Sequence, residues 1–315
     1  MIDARRRAAV KAILACGALA ATRAAALGSP AVLGYLSPGP RELPAELTQA
    51  LARLGHDART LRVEVRIETD RDRAKIRAAA EALARSRPDL LLAWGSERVA
   101  ALAAATRTIP IVAGTTADPV GEGYAATLQH PTGNVTGLSI GVPEMARMWM
   151  SLLKTVRPRL ERVAIIRGSA DPEVWSHVRR PQLTESEGSA VRVIDAYSTT
   201  AAEADRTLAE LGDPERAGAV GAVDGVNLAQ LALRRRIAFV GDVRDGGLMM
   251  FGLQFGDAYA RTALTIDKLL RGAKPADIPF EGPDRSFLEL NRATARAIGV
   301  TFPKDLLLRA TRVVE

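Results

Sequence analysis

At 315 residues the chain is long enough for two lobes of ordinary size, each with its own core. Apolar residues make up 47% but aromatics only 4%, so those cores must be built from Ala, Leu, Val and Ile. The net charge is +7, and four of those charges fall within residues 1–26, where Arg5, Arg6, Arg7, Lys11 and Arg23 face Asp3; the mild remainder, spread without aromatic interleaving, gives no footprint for nucleic acid.

Residues 1–26 read as a signal peptide. Met1 to Lys11 is basic, Ala12 to Ala21 is mostly apolar, and Ala24-Ala25-Ala26 offers a small-x-small cleavage site. The apolar stretch is far shorter than the ~20 residues needed to span a bilayer. The alternative is an amphipathic cytoplasmic extension. Cys16, the only cysteine, lies in this segment, so the chain beyond it has no disulfide, thiolate nucleophile or cysteine metal ligand. The protein is expected in the periplasm.

After Pro30, short apolar strands alternate with amphipathic helices. Strands are predicted at Ala31–Ser37, Val63–Thr69, Asp89–Gly95 and Ile109–Thr115. Helices are predicted at Leu43–Leu54, from a cap at Asp70 to Ser86, and at Glu97–Thr106 behind an N-cap at Ser96. A second series follows. It has helices at Pro143–Val156, Asp171–Glu187, Thr200–Leu211 and Val226–Arg236, and strands at Arg162–Arg167, Val191–Ala196, Gly218–Val223 and Ile237–Val240. This alternation predicts an α/β protein with two doubly wound parallel-sheet lobes. Asn134–Val142, Gly247–Gly252 and Pro279–Ser286 break the rhythm with Gly, Pro and Ser and are the expected crossings between lobes. Lobe 1 is expected over residues 30–137 plus 250–282, and lobe 2 over 138–249 plus 283–315.

There is no phosphate loop, nucleophile elbow or His-Glu-x-x-His run, and His56, His130 and His177 each read as surface residues. No catalysis, cofactor or metal is expected. What remains is a set of small polar groups at the carboxyl ends of predicted strands, where open α/β sheets bind ligands. The set is Ser37, Ser96, Thr115, Thr116 and Asp118 in the first series, and Arg167, Asp224 and Asp242 in the second, with Trp94 and Phe251 as aromatic candidates beside them. Helix N-termini beside them can hold a carboxylate, and an aspartate can pair with an ammonium group. Seven of these also have a structural reading. Ser96 is a cap; Asp118, Asp224, Asp242 and Ser37 are turn formers; Trp94 is core; and Arg167 is half of an ion pair.

The run Thr108–Gly121, ending Asp118-Pro119-Val120-Gly121, and the run Pro131–Ser139, containing Asn134-Val135-Thr136-Gly137-Leu138-Ser139, resemble the signature of solute-binding proteins of ABC transporters. Leu33–Gly39, Gly246–Met249, Asp257–Tyr259, Leu269–Pro279 and Ala297–Pro303 are similar to other segments of that family, in order. The resemblance is to its tryptophan or aromatic amino acid-type members. It implies a type I periplasmic binding fold with three crossings. It also implies capture of a small-molecule ligand and delivery to a membrane permease by a monomer. By position, Ser96, Thr115, Asp118 and Asp224 fall where the family lines its cleft. Three departures touch the ligand: Arg167-Gly168-Ser169 in place of Tyr-Asn-Pro, Phe251-Gly252-Leu253 in place of Tyr-Gly-Pro, and a short segment between Asp224 and Ile237. The alternative function is an exported ligand-sensing domain that signals to a membrane partner.

Overall fold

The computed structural model describes residues 29–69, 72–168, 191–223, 225–254 and 256–315. The expected signal peptide, Cys16, Asp70, the helix Asp171–Glu187, His177 and Asp224 lie outside them.

The first half of the chain supplies strands β1 (Ala31–Ser37), β2 (Leu61–Ile67), β3 (Leu90–Trp94), β4 (Ile111–Thr116), β5 (Ala125–Thr127), β6 (His130–Pro131) and β7 (Val135–Ser139). Five of these form a parallel sheet in the order β2-β1-β3-β4-β7, and β5 and β6 make a separate antiparallel pair. Side chains alternate across a strand, so β1 and β3 feed two cores. Leu33, Tyr35, Leu90 and Leu92 pack with helix α1 (Ala45–Arg53). Leu36, Leu91 and Ala93 pack with α2 (Arg73–Arg85) and α3 (Ser96–Ala105). Both faces are covered, which is why β3 is continuously apolar rather than alternating. Helix α2 is capped by Asp72, whose carboxylate accepts from the Ala74 and Lys75 amides.

Helix α4 (Val142–Val156) opens the second half. Its strands are β8 (Arg162–Arg167), β9 (Arg192–Tyr197), β10 (Ala217–Ala222), β11 (Ala238–Val240), β12 (Met249–Gln254), β13 (Arg285–Asn291) and β14 (Arg312–Val314). They form one sheet in the order β14-β13-β12-β11-β10-β8-β9, parallel except where β12 meets β13. Helix α4 covers one face, and α5 (Ala201–Glu210) with α6 (Leu228–Arg234) covers the other. Helix α7 (Ala258–Leu270) follows β12 but packs back on the first core through Ala263, Ile266 and Leu269. The short α8 (Arg292–Ala297) and α9 (Lys304–Arg309) close the second.

The chain therefore passes between sheets three times, after Ser139, after Gln254 and before Arg285. The passages run side by side. The Ser139 amide donates to Glu281 O at 2.9 Å, the Asp284 amide to Gln254 O at 3.2 Å, and the Gly256 amide to the Asp284 carboxylate at 2.8 Å. Gly141 sits between them at φ +67°, and a Cβ there would lie 2.9 Å from the Leu253 side chain.

Two sequence-based boundaries shift. Gly247–Gly252, predicted as a crossing, instead enters β12 at Met249, which is fully buried and paired with Val240 and Leu290. Gly252 is there because the Phe287 ring lies over it, 2.4 Å from where a Cβ would be. Residues 250–254 thus belong with the second sheet, and Leu138 and Ser139 with the first. The Gly content reads as a hinge in sequence but serves close packing in the fold.

Candidate functional site

Strand polarity locates the candidate site. Strands β1, β3 and β4 run parallel to β7, whose carboxyl end enters the first crossing. Strands β8, β10 and β11 run parallel to β12, whose carboxyl end enters the second. Both sheets so direct their carboxyl ends toward the crossings, which is where a ligand between two lobes would sit.

At the end of β3, Trp94 lies flat across Gly114 of β4, where a Cβ would fall 2.4 Å from the indole. Its ring meets Tyr259 of α7 edge-on, with centroids 5.3 Å apart and an interplanar angle of 67°. The indole Nε1 is buried without a hydrogen-bond partner, as is Nε of Arg98, in the first turn of α3. Arg98 spends another nitrogen on Glu68 O at 2.7 Å. Beneath them, burial pushes the Tyr35 phenol above its ordinary range, opposed by a hydrogen bond with Ser37.

Ser37 is fully buried and holds its own turn: its hydroxyl donates to Pro40 O at 2.6 Å and accepts from the Gly39 amide at 3.1 Å. Ser96 is not the helix cap. Gly95 takes that position, and Ser96 begins the helix with its hydroxyl turned elsewhere. That hydroxyl donates to Glu122 Oε1 at 2.7 Å and accepts from the Ala117 amide at 2.9 Å. Thr116, fully buried, donates to Glu122 Oε2. Asp118 accepts from the Gly121 amide at 2.9 Å and gives its own amide to Glu122 Oε1 at 3.2 Å. Thr115 sits at a register slip in β4, its carbonyl accepting from the Gly95 amide at 2.9 Å. Such bulges re-aim side chains at strand ends.

Ser96, Thr116 and Asp118 are thus brought together, but on Glu122, which sequence reasoning misses. Glu122 belongs to no motif template, and its neighbour Ser96 is 26 residues away. The Asp118–Gly121 turn was the sole local signal that the chain doubles back there.

In the second sheet, Arg167 Nε donates to Asp195 across β8 and β9 at 2.6 Å, and both side chains are mostly buried. The ion-pair reading of Arg167 is the one the geometry contains. Asp242 caps the turn Val243–Asp245 and binds Arg244 through both carboxylate oxygens, at 3.1 and 2.9 Å. The Arg244 guanidinium holds the Asp242 carboxyl below the usual carboxylate range. Phe251 is half-buried in β12, and its carbonyl accepts from Trp149 Nε1 at 2.9 Å. Arg167 and Phe251 lie on strands separated by β10 and β11, so they do not form one cluster. The first sheet accordingly presents one compact group, the aromatic pair with the start of α3 and the braced turn behind it, while the second presents dispersed positions.

A profile of the family described as ABC transporter substrate binding protein matches residues 43–213 and 237–314. A curated relative, the tyrosine-binding protein of Clostridioides difficile (strain R20291), is 24% identical over 230 residues. That alignment takes in 67% of this chain and 63% of the relative's own length. Among solved structures, the ABC domain from Streptococcus pneumoniae in complex with L-Trp superposes with a TM-score of 0.68 at 20% identity, covering 91% of this chain and all of that one. A conserved domain protein from Vibrio cholerae superposes at 0.69 with 21% identity, covering 90% of this chain and 100% of that one. The ligand-free, open form of a Clostridium difficile substrate binding protein with adhesive properties superposes at 0.62 with 20% identity, covering 90% and 99%. These likenesses establish the type I periplasmic binding fold with its two lobes.

Proposed function

Since the chain belongs to the family of ABC transporter substrate-binding proteins, we propose that it captures a small solute between its lobes and delivers it to an ABC permease. The observation that carries this reading is the extent of the family match, which runs through both sheets. Capture takes place outside the cytoplasm, with residues 1–26 as the export leader. The protein acts as a monomer and turns nothing over.

The solute we propose is an amino acid or a related carboxylate. Relatives support the class: one is solved with L-Trp and another is a tyrosine-binding protein. The chemistry of the first lobe supports it too. The start of α3 offers backbone N–H groups and the positive end of a helix dipole to a carboxylate. Trp94 and Tyr259 offer an aromatic corner beside it. Asp118, at the same edge, offers a carboxylate for the ammonium group. Thr115 contributes a hydroxyl, Arg167 adds a guanidinium from the second lobe, and Asp224 is the remaining residue we assign to the ligand. Ser37 and Asp242 act at one remove, by holding the turns that border the cleft.

Thermal-shift screening of the full chain against amino acids, aromatic carboxylates, purines, polyamines and sugars tests this reading. A solute that binds only the folded state adds about 2.7 kcal/mol at 100 times its dissociation constant. A clear shift with one or a few amino acids is the expected result. A shift with sugars or purines alone overturns the solute class.

A further inference from the structure

The turn after β4 holds its shape through contacts of its own. The Glu122 amide donates to Asp118 O at 2.8 Å, the Tyr124 amide to Pro119 O at 2.8 Å, and the Gly121 amide to the Asp118 carboxylate at 2.9 Å. None of these uses the Glu122 side chain. Apart from Oε1 accepting the Asp118 amide, that carboxylate reaches out of the turn, to the hydroxyl of Ser96 at the start of α3 and to that of Thr116 at the end of β4. Hydrogen bonds to an ionised carboxylate are the strong kind and hold their donors closely.

What lies beyond those donors is the first crossing. Ser96 Oγ accepts the Ala117 amide, and Ala117 O accepts the Val142 amide at 3.2 Å. Thr116 O accepts the Ile140 amide at 2.8 Å. Ile140 and Val142 flank Gly141, the left-handed residue of the crossing. The side chain of Ala117 packs against the second core rather than the first. A continuous run of hydrogen bonds therefore links the amino end of α3 to both neighbours of Gly141, with the Glu122 carboxylate at its root.

We infer that Glu122 is a positioning residue for solute capture. It locks the start of α3 to the first crossing, so that occupation of the first lobe and closure of the second move as one event. The inference rests on the cleft being the solute site, and it deepens that reading by naming how the site reports to the hinge.

The test compares Glu122→Ala and Glu122→Gln in the full chain. Amide hydrogen exchange without solute reads the link itself. In Glu122→Ala the amides of Ile140 and Val142 should exchange about tenfold faster relative to amides in β1. Binding of L-tryptophan and L-tyrosine, followed by calorimetry, should weaken by about tenfold, or about 1.4 kcal/mol. Scattering at saturating amino acid should show incomplete contraction, which a residue serving only stability would not change. Glu122→Gln keeps an oxygen for Ser96 and the Asp118 amide and turns a donor to Thr116 but loses the charge, so all three readouts should fall between wild type and Glu122→Ala. Unchanged exchange at Ile140 and Val142 in Glu122→Ala overturns the inference. If the wild-type protein binds neither amino acid, the choice of solute is wrong, while the exchange comparison still decides the role of Glu122. Should Glu122→Ala fail to fold, Thr116→Val removes one donor without changing side-chain shape. Exchange at Ile140 then rises if the link is real and stays at the wild-type rate if it is not.

Discussion

At the scale of single residues, the end of β4 shows how the same side chains serve structure and ligand. The Asp118 carboxylate accepts the Gly121 amide, which is the turn role its sequence neighbours Pro119 and Gly121 suggest. In the proposed site it also faces an ammonium group. Asp118→Asn separates the two, because the amide oxygen keeps the Gly121 bond while the charge is lost. An amino acid ligand should then bind about 2 kcal/mol or more weakly, as for one partner removed from a buried charge pair. Calorimetry on Asp118→Asn giving the wild-type affinity rules out the charge role. Gly114 carries a different constraint. A Cβ there would enter the Trp94 ring at 2.4 Å, so Gly114→Ala must tilt the indole away from β4. That should cost about 1–3 kcal/mol of stability in urea unfolding and alter indole fluorescence. The positions of Ser96, Thr116 and Asp118 at strand ends are legible in sequence, because hydrophobic runs end there. Their convergence on Glu122 is not, since nothing local says that a turn glutamate four residues past Asp118 will reach back to a helix start.

At the scale of elements, helix α7 shows what local reading leaves out. It lies beyond the predicted elements, and nothing local names the sheet it covers: it follows a strand of the second sheet and packs on the first. His56 reads in sequence as a surface residue just past Gly55. In the fold it is largely buried and meets Asp267 of α7 at 2.8 Å, tying the end of α1 to the returning helix. Arg271, one turn on, also binds Asp267 at 2.8 Å. The Arg271 guanidinium, helped by His56 and opposed by burial, holds the Asp267 carboxyl below its ordinary value. A carboxyl depressed in the folded state contributes stability that is present above the unfolded value of about 3.9 and lost as pH falls through the folded one. Asp267→Asn should therefore lower stability near neutrality by about 1.5–3 kcal/mol, the range for a hydrogen bond to a charged group. The deficit should shrink as the pH is taken below about 4, where the wild-type carboxyl is itself being protonated. Melting temperatures of both proteins across pH 2.5 to 7 check the sign; a deficit that grows on acidification contradicts it.

At the scale of the whole molecule, two rounds of strand–helix alternation are enough to announce two doubly wound lobes, because parallel strands require covering helices. Where the chain changes lobes is harder to see. Gly-rich Gly247–Gly252 looks like a hinge and is partly a buried strand, whereas the crossing after Ser139 hides its flexible point in a single glycine. Gly141 is the place where geometry and motion meet. It stands at φ +67°, a region costing other L-residues roughly 1–2 kcal/mol, and its open side faces Leu253 near the end of β12 and Pro283 of the last crossing. A methyl group there would meet the Leu253 side chain at 2.9 Å. Gly141→Ala should thus destabilise the form seen here by both strain and crowding, about 2 kcal/mol or more in all. Hinge closure changes the backbone at a few such positions and leaves the lobes rigid. The variant's lobes should then keep wild-type exchange protection in β3 and β10 while its crossings lose theirs. Its radius of gyration without solute should differ from wild type, and its affinity should shift in step, because a hinge that favours one form taxes or aids the other by the same free energy. Scattering and calorimetry on Gly141→Ala together test that equality. A changed radius with unchanged affinity would mean that closure is not coupled to capture, and that the three crossings serve only to hold the two sheets together.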